Sequence, residues 1–412
     1  MPVIPVRQPL FVSVLVGGAL VAVAACAAPS PVSAVADRSV DGSAAAAVSP
    51  AAAASSSPAA GGQTLRQVWP AGAAAAWAWT QGNGGPQGIA RTVNGGKTWA
   101  TVTPPGLAQQ TGDHVISGFF ALGSQHAWVA YGGIAGGAVQ HITTTSDGGR
   151  HWTVVGREPL TKVAFSSYVY TCGLDFVTPK DGWCQAEPPF VGSEGVDLYR
   201  TTDGGRHWRR VSVTGPDGNK AGSLPWACDK NIQFTSETRG WAIFTCPKAA
   251  PLYETTDAGR TWVKRRVAAP PGPIDSGSGF TGQPLMSGSR GAVGYTIFGA
   301  PQKSVVYVSA NGGAAWRPVT PPGPSQGWVA DAIGATSWRL VAGDHILATD
   351  NAGRTWRMIT SNVTFRIYYA YDDPTSPVVD FVTSQTGWIA GTALWRTTNG
   401  GRTWHRLPVP GT

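Results

Sequence analysis

TTDGGRHW, residues 201–208, is one of seven copies of a short pattern in this chain of 412 residues. The others are TVNGGKTW (92–99), TSDGGRHW (145–152), TTDAGRTW (255–262), SANGGAAW (309–316), TDNAGRTW (349–356) and TTNGGRTW (397–404). Position three is always Asp or Asn: Asn94, Asp147, Asp203, Asp257, Asn311, Asn351 and Asn399. A short polar side chain there can cap backbone N–H groups in an Asx-type turn. Glycine at position five accepts the positive φ that a Cβ would penalise. The closing tryptophans, Trp99, Trp152, Trp208, Trp262, Trp316, Trp356 and Trp404, anchor the turn to the sheet beneath it. Each copy therefore reads as the connector of a β-hairpin.

A second motif precedes the box, at Trp77, Trp128, Trp183, Trp241, Trp338 and Trp388; the fifth unit carries Ala292 in its place. In three units a phenylalanine lies seven residues before this tryptophan, at Phe176, Phe234 and Phe381. That spacing suits two short strands joined by a turn, so each unit predicts strand, turn, GW strand, loop, strand, box, strand. Shared among seven boxes, residues 65–412 give about 50 residues per unit, the length of a four-stranded propeller blade. The expected fold is all-β: a seven-bladed β-propeller of four-stranded antiparallel blades. Ring closure has two readings, since Gln67 to Trp69 can complete the first blade or pair beside the last strand around Trp404 to Leu407. Most of the 18 tryptophans occupy the two repeating positions, and aromatics at a structural period are read as packing between blades before ligand stacking.

The N-terminal end has a different character. Arg7 followed by the apolar run Pro9 to Ala25 reads as an export signal, too short and too rich in Gly and Ala for a spanning helix. The run ends in Val23-Ala24-Ala25-Cys26, which resembles a bacterial lipobox, so Cys26 is the expected site of lipidation. Residues 26–63 are nearly all Ala, Ser, Pro, Gly and Val and make an expected flexible tether. The expected organisation is a signal peptide over 1–25, the tether over 26–63 and the propeller over 64–412. The corresponding location is exported, held at the outer face of the bacterial cell membrane by that lipid.

Four further cysteines form an even set in a compartment where disulfides persist. Their spacing favours Cys172 with Cys184 and Cys228 with Cys246, each pair straddling an expected hairpin. No CxxC or histidine cluster suggests a metal, and no metal or cofactor is expected. The formal net charge of +8 is spread along the chain, which argues weakly for an acidic surface or polyanion nearby and against nucleic-acid recognition.

The boxes resemble the BNR or Asp-box repeat superfamily, which includes sialidases, xyloglucanases and the sortilin ectodomain. The pairing of a GW strand with a TTDGGRTW-like box looks most like the photosystem II stability and assembly factor family, whose seven-bladed propellers bind protein partners. This resemblance spans residues 65–412, is specific for fold, and implies a non-catalytic binding role; a propeller hosts many activities. A sialidase-like enzyme would need an Arg-Ile-Pro motif before the first box, but the nearest string is Phe365-Arg366-Ile367-Tyr368, after the sixth. A glycosidase of the sialidase or xyloglucanase type needs two carboxylates about 5–10 Å apart. Asp147, Asp203 and Asp257 are taken up by boxes, which leaves Glu187 and Glu194 in one loop and Asp113 beside His114 as weak catalytic candidates.

In such a ring the boxes lie on one face, while blade-to-blade and second-to-third-strand connections lie on the other. That second face carries Tyr168, Tyr170, Trp226, Trp328, Arg366 and Tyr369, residue types that anchor protein or glycan interfaces. Packing on their own blade is the competing role for each. The expectation is a monomeric module binding a protein or polysaccharide partner at the envelope.

Overall fold

The computed structural model describes residues 63–82, 87–108, 116–131, 141–157, 171–187, 195–214, 221–226, 229–245, 251–272, 278–280, 283–297, 303–322, 329–365, 378–390 and 393–409. These form seven blades of four antiparallel strands in chain order. Blade 1 comprises Gln63–Pro70, Ala76–Gly82, Gln87–Thr92 and Ala100–Thr101, and blade 2 Ile116–Leu122, His126–Tyr131, His141–Thr145 and Thr153–Arg157. Blade 3 comprises Thr171–Phe176, Gly182–Glu187, Val196–Thr201 and Arg209–Thr214, and blade 4 Asp229–Phe234, Gly240–Thr245, Leu252–Thr255 and Val263–Lys264. In blade 5 the first strand is split into Gly279–Phe280 and Leu285–Ser287, both paired with Arg290–Ile297; Lys303–Ser309 and Ala315–Val319 follow. Blade 7 is Val378–Phe381, Gly387–Ala390, Leu394–Thr397 and Trp404–Leu407.

Blade 6 joins its middle strands into one run, Trp338–Thr349, between Val329–Ala332 and Arg357–Phe365. A left-handed Gly343 (φ 56°) and a register break between Gly343 and His345 divide the run. Its first half pairs with Val329–Ala332 and its second with Arg357–Phe365, which supplies the second and third strands of the blade.

The phenylalanine before each GW pair has a physical role. Phe176, Phe234 and Phe381 lie opposite Gly182, Gly240 and Gly387 in the ladder, and a Cβ on any of these glycines would run into the facing ring. The glycine lets the ring lie flat across the strand. So placed, Phe176 stacks on Trp128 of the preceding blade at 3.9 Å and 6°, and Phe234 stacks on Trp183 at 3.6 Å and 4°. Each also meets its own blade's box tryptophan edge-on, Trp208 and Trp262, at 6.2 Å. Trp77, Trp128, Trp183, Trp241, Trp338 and Trp388 are all buried, so the repeating tryptophans are interior packing between blades.

The sixth unit needs a correction to the second motif. Register places Asp175 opposite Trp183 and Asp380 opposite Trp388, but Asp331 faces Arg339, one residue beyond the tryptophan of SWRLV. Arg339 thus occupies the repeating tryptophan position. Fully buried, it holds its guanidinium 5.9 Å from the Phe381 ring, where the other units place an indole. Its nitrogens donate to the carbonyls of Trp338, Thr349 and Ser384 and to Asp350 Oδ1, at 2.8–3.1 Å.

The ring closes without exchanging a strand. Gln63–Pro70 pairs with Ala76–Gly82 inside blade 1, and Trp404–Leu407 pairs with Leu394–Thr397 inside blade 7. The two blades meet through side chains: Val68, Ala76, Ala78 and Ala90 pack with Trp388 and Leu394. Arg396 of blade 7 also donates to the Ala73 carbonyl of blade 1 at 2.5 Å. Comparable clasps join other neighbours, with Arg239 of blade 4 reaching the Gly312 carbonyl of blade 5 at 2.6 Å and Arg339 reaching Ser384.

Candidate functional site

Each box is the same small network. In box 3 the buried Thr201 hydroxyl donates to Asp203 Oδ1 at 2.9 Å and accepts the Gly205 N–H at 2.9 Å, while Asp203 Oδ1 accepts the His207 N–H at 3.0 Å. The Asn boxes close alike, with Asn399 Oδ1 accepting Thr403 N–H at 2.9 Å. At position four a backbone N–H donates to the turn between the first and second strands of its own blade, as Gly95 to Ala74, Gly204 to Lys180 and Gly400 to Gln385. Box and turn therefore share one face of the ring. The connections between blades, and between second and third strands, leave from the other.

The box carboxylates are held as anions by these turns. Backbone and side-chain hydrogen bonds from His151 hold Asp147 well below the usual carboxylate range. Desolvation opposes the same effect at Asp203, but bonds from His207 and Thr201 outweigh it and bring the group to about 2. Groups so committed are poor proton donors near neutral pH, and they fit the structural role read from the repeat.

A second set of carboxylates escaped the sequence reading. Asp175 and Asp331, on the first strands of blades 3 and 6, accept the backbone N–H of Phe234 and Phe381 in the following blades, each at 2.5 Å. Burial raises Asp175 to about 7, against the lowering influence of that N–H. They serve to join inner strands of adjacent blades. The string LDF marks Asp175 as an acid directly before the packing phenylalanine, but Asp331 lies in VADA, before an alanine, and carries no such mark.

Trp226 is the described member of the predicted aromatic set, 45% exposed. Its segment is pinned: the Gly222 carbonyl accepts the Trp262 N–H at 2.7 Å, and Leu224 is buried between blades 3 and 4. These contacts set Trp226 beside the outer strand of blade 4. Tyr168, Tyr170, Trp328, Arg366, Tyr369, Glu194 and Asp113 lie outside the described residues, as do Cys26, the expected signal and all of the expected tether except Gln63, which opens the first strand of blade 1. Glu187 ends the second strand of blade 3, opposite Thr171. Nearer the ring's inner wall, Gln185 donates to the Lys230 carbonyl at 2.6 Å and accepts the Ile232 N–H at 2.9 Å. Gln283 donates to Asn231 Oδ1 at 3.0 Å. The buried Lys230 ammonium lies 5.0 Å from the Phe244 ring. Cys184 is buried and disulfide-bonded, and Cys228 and Cys246 fall outside the described residues.

No family model matches the chain, and a search of curated proteins finds no match. Among solved structures, YCF48 bound to D1 peptide is 20% identical, covers 71% of this chain and 82% of its own, and superposes with a TM-score of 0.42. YCF48 from Cyanidioschyzon merolae is 17% identical over 73% of this chain and 86% of its own, also at 0.42. A prolyl endopeptidase is 10% identical, covering 85% of this chain and 51% of its own at 0.54. At 10% identity this last likeness speaks for the fold alone, in agreement with the seven blades: this chain is a β-propeller.

Proposed function

We propose that this protein is a cell-envelope lipoprotein whose non-catalytic propeller binds a protein or polysaccharide partner through exposed aromatic residues. The observation that carries the reading is Trp226, a large aromatic left 45% exposed on a segment tied down at Gly222 and Leu224. Exposed aromatics on rigid supports are the usual anchors of an interface, because little conformational freedom is lost on contact. The seven box Asx residues are engaged in turns, which agrees with a scaffold in which chemistry is left to the partner. Lipidation at Cys26 would hold the ring at the membrane on the Ala/Ser/Pro tether.

The test uses the full chain and its Trp226→Ala variant, immobilised and exposed to solubilised envelope proteins and to cell-wall polysaccharide, alongside an assay with fluorogenic glycosides. A discrete partner retained by the native protein and lost from Trp226→Ala supports the reading. Glycoside turnover abolished by Glu187→Gln would replace it with a glycosidase of the sialidase or xyloglucanase type. Metabolic labelling with an alkynyl fatty acid tests the anchor separately, with label expected on the native chain and absent from Cys26→Ser.

A further inference from the structure

Position six of the box repeats a chemistry that the turn does not require. It holds Lys97, Arg150, Arg206, Arg260, Arg354 and Arg402 in six boxes and Ala314 in the fifth. All seven residues are exposed. Box 5 serves as an internal control for the need for charge, since with alanine at position six it closes the same bonds. Gly313 N–H reaches Ser309 Oγ at 2.9 Å and Ala315 N–H reaches Asn311 Oδ1 at 3.0 Å, as in the arginine boxes.

Local acids offset only part of this set: Asp147, Asp203 and Asp257 stand at the centres of the turns that carry Arg150, Arg206 and Arg260. In boxes 1, 6 and 7 position three is Asn, so Lys97, Arg354 and Arg402 have no carboxylate at the centre of their turns. The acid of box 6, Asp350, is engaged by the buried Arg339 at 3.1 Å and by Arg357 at 2.7 Å. Arg91 and Arg396 add further guanidiniums on this side, lying over Trp77 and Trp388 at 5.5 and 5.4 Å.

We propose that the box face docks on an anionic lipid surface, the six cations forming an annulus that meets phosphate headgroups. One cation on each of six of the seven blades, spread around a ring on a single face, matches a plane of negative charge. A nucleic-acid strand would call for cations aligned along a groove. The interaction is electrostatic and therefore weakens with salt. It deepens the envelope reading and rests on it for the nearness of a bilayer: the box face turns toward the membrane, and the loop side turns outward.

The experiment uses the full chain carrying Cys26→Ser, so that no acyl chain contributes. It is sedimented with vesicles of phosphatidylcholine alone or of phosphatidylcholine and phosphatidylglycerol in a two-to-one ratio. Binding to the mixed vesicles is expected to be at least about ten-fold tighter and to disappear in high salt. Lys97→Gln/Arg150→Gln/Arg260→Gln/Arg354→Gln should weaken it by at least about ten-fold with an unchanged circular dichroism spectrum. The pair Arg150→Gln/Arg354→Gln should give a graded, smaller loss, readable even if the quadruple variant folds poorly. Removing four exposed cations from outer strands, by Arg209→Gln/Lys264→Gln/Arg317→Gln/Arg406→Gln, should weaken it less than the box-face quadruple. Equal binding to both vesicle types, equal losses in the two quadruple variants, or binding to soluble polyphosphate with none to vesicles overturns the proposal. Failure of fatty-acid labelling with vesicle binding intact would remove the anchor and leave the docking.

Discussion

The threonine or serine that opens each box does more than its unremarkable identity suggests. Thr201, 1% exposed, both donates and accepts within the turn. Thr201→Val keeps the shape and leaves the Gly205 N–H without its hydroxyl acceptor. We expect a loss of about 1–3 kcal/mol in urea unfolding; a change within error would mean the hydroxyl is dispensable. Asp175 gives a residue-scale dependence on pH. Its folded-state value of about 7 lies above the ordinary carboxylate value, so the folded chain holds the proton more tightly than the unfolded one. Stability from this group is complete below about pH 4 and is lost as pH rises toward 7, by on the order of 2–4 kcal/mol. Asp175→Asn should flatten that slope in unfolding measurements from pH 4 to 7, and an unchanged slope would assign it to other groups. The string LDF shows an acid beside the packing phenylalanine, but neither role was legible in the sequence, because the N–H that Asp175 accepts belongs to Phe234 in the next blade.

At the scale of the strand pair, the Phe–Gly–Trp arrangement was visible as a spacing but not as a mechanism. The count of seven residues marked two strands and a turn; only the ladder shows that Phe176 lies across Gly182. Gly182→Ala is therefore expected to push Phe176 off Trp128 and cost about 1–3 kcal/mol in thermal or urea unfolding, as overpacking does. A neutral result would mean the ring has room to shift. The sixth unit shows why motif matching alone misassigned a residue. SWRLV offers a tryptophan, yet the pairing of Asp331 puts Arg339 in the packing position, and that guanidinium finds carbonyls, a carboxylate and the Phe381 ring there. For the bonded Cys184, the neighbouring strand makes Cys172 the expected partner. Non-reducing peptide mapping should recover a peptide joining the two, and a Cys184–Cys228 or Cys184–Cys246 peptide would contradict that pairing.

For the whole molecule, the box count carried the architecture, because a repeated turn needs a repeated sheet beneath it. Blade number, strand order and the face of the boxes were all legible on that basis. Ring closure was not: Gln67 to Trp69 fits either edge by pattern, and the choice is made by ladder pairing with Ala76–Gly82 and by the burial of Trp388 against blade 1. The candidate binding side was legible only as composition, since aromatic loops carry no period that fixes where they lie. A ring also predicts distances that an open array of blades cannot reproduce. Spin labels on exposed box positions, measured by pulsed electron–electron resonance as the cysteine pairs Lys97/Arg150, Lys97/Arg402 and Lys97/Arg260, report blades 1 and 2, 1 and 7, and 1 and 4. A closed ring predicts similar short distances for the first two pairs and a longer one for the third; a Lys97/Arg402 distance exceeding that of Lys97/Arg260 would contradict it.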